Sequence, residues 1–195
     1  MALPVIHQTC RESLGVDFRA IDVTPKFPIG TLFHDQYGQS YRYVKVATDL
    51  TIADADEDCL AVTFTWTLDA GTGGTITDTT DGDGSKVGAP TTIVAAALSG
   101  SSSIDGVVER RVSGTGVQID GSPTPKYIFV KVKGVANRLL KPAALDAGQY
   151  ADRIASSGAL VEETAAGASL GNRFGVCIAE HDSGASGDFL FDVEF

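Results

Sequence analysis

Histidine, cysteine, methionine and tryptophan are all scarce in this chain. Its 195 residues hold three His, three Cys, one Met and one Trp. The few Cys and His do not cluster, and neither Cys-x-x-Cys nor His-Glu-x-x-His occurs. Zinc needs such clustered ligands, so a zinc site is not expected. Cys10, Cys59 and Cys177 are odd in number and far apart in sequence. Secreted disulfide frameworks use even, clustered sets, so these read as reduced thiols made in a cytosol. Basic residues are also in short supply. Lys and Arg total 15 against 25 Asp and Glu, a formal net charge of −10. Phosphate backbones repel such a surface, which argues against nucleic-acid binding. The charge serves solubility, or an acidic face for a basic partner.

No apolar run approaches the roughly 18 residues that a membrane-spanning helix needs. The start, Met1-Ala-Leu-Pro-Val-Ile-His-Gln8, lacks the basic and long apolar regions of a signal peptide. Asn137 and Asn172 are not in glycosylation sequons. These features predict a protein made in a cytoplasm, with no membrane partner.

Catalytic patterns are likewise missing. There is no Gly-x-Ser-x-Gly elbow; Gly184-Ala-Ser-Gly187 lacks its spacing. His181, Asp182 and Ser183 are consecutive. Neighbours on an extended segment point to opposite faces, so they read as a polar turn and not a triad. A Cys–His pair drawn from the three thiols and His7, His34 and His181 is a further arrangement that sequence cannot place. Cys177 lies in an apolar run, where a thiol is ordinarily inert core. Asp78-Thr-Thr-Asp-Gly-Asp-Gly84 offers carboxylates for calcium but lacks an EF-hand's alternating ligands, so a solvated turn is the simpler reading. Gly82-Asp-Gly-Ser-Lys-Val-Gly88 fits no phosphate-binding fingerprint. Arg110 and Arg111 suit an acidic partner or a charge-protected strand edge. No catalytic, cofactor-binding or metal residue is therefore assigned, and no cofactor is expected.

What is present favours strands. Hydrophobic residues make up 43%, enough for a core, and Gly is abundant at 22. Residues 1–30, punctuated by Pro4, Pro25 and Pro28, read as an extended arm that reaches a neighbouring subunit or forms an edge strand. Thr31–Asp35 and Ser40–Val46, joined across Gly38, form a hairpin. Cys59–Leu68 alternates Leu60, Val62, Phe64, Trp66 and Leu68 with small or hydroxyl residues, the pattern of a half-buried strand. Its geometry places Trp66 in core packing more readily than in sugar stacking. Thr75–Thr77 is a short strand, and Thr91–Leu98 is a buried strand or a short helix. Ile104–Val112, Gly116–Asp120, Tyr127–Lys133 and Phe174–Ala179 continue the pattern. Helical turns are expected within 135–157, around Asn137–Lys141 and Gln149–Ser157. The final strand, 188–195, turns Phe189, Phe191, Val193 and Phe195 to one side. Together these predict a mainly β protein: a sandwich or barrel-like domain over 31–195, with a sub-boundary near 99–103, an arm over 1–30 and a few short helical turns.

Phe27-Pro-Ile-Gly-Thr-Leu-Phe33, followed by Tyr37-Gly38 and Tyr41-Arg-Tyr-Val-Lys-Val-Ala47, resembles the opening of many tailed-phage virion proteins. Phe129-Val-Lys-Val-Lys-Gly134, Phe174-Gly-Val-Cys-Ile-Ala-Glu180 and Gly187-Asp-Phe-Leu-Phe-Asp-Val193 resemble the ending of small β-rich phage decoration (cement) proteins. The long acidic loop at 69–90 departs from shorter members. The resemblance implies a structural virion protein on the capsid surface. Its implied partners are the major capsid protein and further copies of itself, most simply a trimer, and it implies no active site. A β-rich receptor- or carbohydrate-binding fibre or head module is the alternative.

Overall fold

A computed structural model describes residues 15–69, 75–78, 90–97, 104–140, 145–156, 159–162, 173–179 and 186–193. Every regular element among them is a strand. Five strands close into a ring. They are β3 (Ser40–Val46), β5 (Cys59–Asp69), β7 (Pro90–Ala97), β8 (Gly106–Glu109) and β10 (Lys126–Leu140). β10 pairs with β3, β3 with β7, β7 with β5, β5 with β8, and β8 returns to β10. Closure removes the exposed edges an open sheet would leave.

The closing seam is short, with Lys131 opposite Val107. Gly106 makes it possible. A Cβ there would lie 2.6 Å from Val130 Cγ1 and 2.8 Å from the Lys131 carbonyl oxygen. Val44, Val62, Ile93, Val108, Ile128 and Val130 fill the interior. A short pair, β4 (Leu50–Ile52) with β9 (Gly116–Ile119), adds Leu50 and Ile119 to the same cluster.

β10 is the hinge of the architecture. Residues 126–131 pair with β3, and from Lys133 onward the strand pairs with β14 (Ser186–Asp192). Gly134 sits at the change of partner with φ +128°, a conformation that side-chain-bearing residues rarely adopt. Beyond β14 the sheet continues through β13 (Arg173–Cys177) and β11 (Tyr150–Ser156) to β12 (Ala159–Glu162). This open sheet packs Phe174, Phe189, Phe191 and Val193 against Cys59, Ala61 and Val107 on the barrel's outside. Ile128, Val130 and Val132, at alternate positions on β10, therefore serve two cores. The first two line the barrel, and Val132 lies under the appended sheet.

The segment from residue 15 to 30 straps a third cluster. Phe18 stacks on Tyr41 at 4.1 Å, and Phe27 meets Phe33 and Tyr43 edge-on at 5.1 and 5.3 Å. β1 (Ile21–Asp22) pairs with β10, and the Tyr43 hydroxyl donates to Asp22 at 2.8 Å. From Gly15 on, the stretch expected as an arm thus lies on its own barrel; residues 1–14 lie outside the described set.

The hairpin is β2 (Leu32–His34) with β3, the strand at 59–68 is β5, and the Thr91–Leu98 segment resolves as strand β7. Thr75–Thr77 lies within β6 (Thr75–Asp78), which pairs with β5. Among the described residues the expected helical turns are not found; 141–144 and 157 lie outside the described set. Asn137 to Leu140 belong to β10, and Tyr150 to Ser156 form β11. A register shift between Ala136 and Leu139 explains the first case. Arg138 takes φ +49° at this bulge, and its N–H donates to Asp188 Oδ1 at 2.7 Å. Two polar residues turn to solvent without ending the strand.

Candidate functional site

The outer face of the appended sheet is apolar where a solvated face would be polar. Pairing sets Val135, Leu190, Val176 and Tyr150 side by side across β10, β14, β13 and β11. Phe189 and Phe191 point inward from β14, so Leu190 between them points out and stays 55% exposed. Tyr150 is 43% exposed, and Ile178, just beyond β13, is 49% exposed.

The β2–β3 turn walls one side of this face. The Asp35 carboxylate accepts the N–H groups of Tyr37 and Gln39 at 2.8 and 2.9 Å, and Gly38 takes φ +78°. That geometry presents Tyr37 at 77% exposure. The result is a groove of about 630 Å³ lined by Tyr37, Val135, Tyr150, Val176 and Leu190 among others. Gly134 and Gly175 flank Phe191 across the strands and line the groove. Lys133 and Asp192 form a 2.8 Å ion pair at its edge. An exposed apolar row with a charged rim can bury against another protein surface.

The two described thiols are placed in the core. Cys59 and Cys177 are free and buried within the cluster beneath the appended sheet. Burial pushes the Cys59 thiol up to about 12, far from the reactive thiolate range. Cys177 Sγ lies 3.1 Å from the Ala179 carbonyl oxygen. His34 is held in the β2–β3 hairpin by the Ser40 hydroxyl at 2.7 Å. His7, Cys10, His181, Asp182, Ser183 and the Thr79–Gly84 part of the acidic loop lie outside the described residues. Among the described residues no cluster of three His, Cys, Asp or Glu side chains is arranged to hold a metal.

Trp66 packs on the barrel core, with the Arg42 guanidinium 5.3 Å from its ring centroid. The ring is thus engaged within the fold. The expected charge-protected edge at Arg110 and Arg111 proves to be a half-buried cluster. Lys131, only 4% exposed, pairs with Glu109, and Arg19 Nε lies 3.7 Å from the other carboxylate oxygen. Burial raises the Glu109 carboxyl, but the Lys131 ammonium outweighs that, with help from Arg19 and Arg111. Its pKa ends below the usual carboxylate range.

Sequence reasoning missed the outer apolar row. One signal was visible: Leu190 interrupts the acidic side of the last strand between Asp188 and Asp192. The rest depended on β11, whose residues were expected in a helical turn. Compared with protein families, curated proteins and solved structures, the chain matches none.

Proposed function

We propose that this chain is a structural virion protein. It acts as a decoration subunit that binds the outer capsid of a tailed phage through the appended sheet. The observation that carries this reading is the outward Val135–Leu190–Val176–Tyr150 row, exposed at Leu190 and Tyr150 and half-buried at the two valines, aligned across four strands and walled by Tyr37. The closed barrel supplies a rigid body, and the open sheet offers a flat, partly apolar platform. Many such contacts repeated over a shell sum through multivalency, so each can be modest. The family resemblance of the hairpin and of the last two strands supplies the choice of partner: the major capsid protein, with further copies of this chain, most simply as a trimer.

The test is co-sedimentation with empty capsids assembled from the major capsid protein of the same genome. The proposal expects saturable binding at a fixed copy number per capsid. Purified, folded protein that never sediments with those capsids would overturn it.

A further inference from the structure

The N-terminal strap and the apolar groove share one face of β10. Phe129, Lys131, Lys133 and Val135 alternate along that strand, so their side chains stand on the same side. The strap covers the first of them: Phe18 and Phe27 pack on Phe129 with ring centroids 5.1 and 5.6 Å away. Lys131 comes next, its ammonium 5.7 Å from the Tyr41 ring centroid. Lys133 and Val135 already line the groove. The step from Lys131 to Lys133 is about 7 Å of strand, so the covered aromatic cluster and the groove are consecutive stretches of one surface.

The strap, followed back toward its N-terminal end, runs toward the groove. Asp22 lies opposite Tyr127 and Ile21 opposite Ile128. Phe18 then stacks on Tyr41, the register partner of Lys131. Arg19 reaches Glu109, which pairs with the same lysine. The chain upstream of Phe18 is therefore directed at Lys133 and Val135. In that upstream sequence Ala2-Leu3-Pro4-Val5-Ile6 is an uncharged apolar run. Ile6 precedes Gly15 by nine residues, an extended reach of up to about 30 Å. The groove matches such an occupant. Its Val135–Leu190–Val176 row is apolar, and Lys133 and Asp192 at its edge neutralise each other. A second copy would bring a net charge of −10 against an equal charge, whereas a tethered segment arrives without that repulsion. The tether also holds it at an effective concentration on the order of millimolar.

We infer that residues 2–6 occupy the groove of their own chain and extend along Val135, Leu190 and Val176 the cover that the strap begins at Phe129. Among the described residues nothing else lies over this row. The inference concerns the isolated chain and stands or falls without a capsid. Under the decoration reading, the segment is what the docking partner displaces.

The experiment is hydroxyl-radical footprinting of the full chain, wild type against the double variant Leu3→Asp/Ile6→Asp, with labelling read at Tyr37, Tyr150 and Leu190. Val117, 47% exposed and outside the groove lining, is the reference. Labelling at the three groove residues should rise roughly threefold in the variant, the change for a groove covered about two-thirds of the time, while Val117 stays constant. A peptide of residues 1–8 added in excess to the variant should restore the protection. Leu190→Asp should release the segment too, read at Tyr37 and Tyr150, a result that stands if the double variant folds poorly. Wild-type protection should persist over an about 100-fold dilution, since a contact within one chain does not depend on concentration. Protection lost on dilution would assign the groove to a second copy and overturn the inference. Equal labelling of wild type and variant would leave the groove open for a separate partner and overturn it as well.

Discussion

The barrel and the appended sheet solve the same problem in different ways. Both are antiparallel for the most part, and both bury aromatic or branched side chains. The barrel closes on itself, and β3 is covered on both faces: it lines the interior with Val44 and Val46 and carries Tyr41 and Tyr43 outward into the aromatic cluster. The appended sheet stays open. It covers one face with Phe189 and Phe191 and leaves Leu190 and Tyr150 in solvent. Substitutions that look similar in size should therefore have different consequences in the two places.

The largest effect is expected inside the barrel. Ile128→Ala removes a fully buried side chain from the closed ring and should cost about 4 kcal/mol, with loss of the whole fold, read by denaturant unfolding. Phe189→Ala should cost about 3 kcal/mol but act locally. Hydrogen exchange should accelerate in β11, β13 and β14 while β3, β5 and β7 keep their protection. Equal acceleration in both regions would break the comparison.

The Lys131–Glu109 pair joins β10 to β8 at the barrel's closing seam. Lys131→Met leaves a half-buried carboxylate with weaker partners and should cost about 3 kcal/mol at neutral pH. The sign with pH follows from Glu109, whose folded pKa lies below its ordinary value. Its contribution is present above the ordinary carboxylate pKa and is lost as pH falls from there through the lower folded value. The gap between wild type and Lys131→Met should therefore be widest at neutral pH and narrow in acid. A gap independent of pH would remove Glu109 from the account.

The smallest effect on stability is expected at Leu190. Leu190→Asp replaces an exposed side chain on the outer face and should change stability by no more than about 0.5 kcal/mol.

The strands with clean alternation were legible in the chain. Cys59–Leu68 and the last strand show period-two alternation, and the hairpin announces itself through Gly38. What was hidden follows from pairing between distant strands. β10 reads as an ordinary seven-residue strand at Tyr127–Lys133, yet it continues to Leu140 because a second sheet covers its far half. The bulge at Arg138 breaks the alternation there, so Asn137 and Arg138 imitate a turn. The helical expectation at Gln149–Ser157 arose the same way, since β11 gains its strand character from β13 and β12 and not from its own pattern. The groove was invisible because its residues lie on four strands, brought to one level by register alone. Arg111 was noticed as a charge, but its placement depends on the Phe129 carbonyl arriving from β10.

The central claim is that the apolar face of the appended sheet docks onto the capsid. Quantitative co-sedimentation of wild type and Leu190→Asp with empty capsids tests it most directly, with both proteins first shown to unfold at the same temperature. The account predicts saturable binding by the wild type and at least a tenfold loss for Leu190→Asp, of the order of one hot-spot contact. Undiminished binding by Leu190→Asp would contradict it.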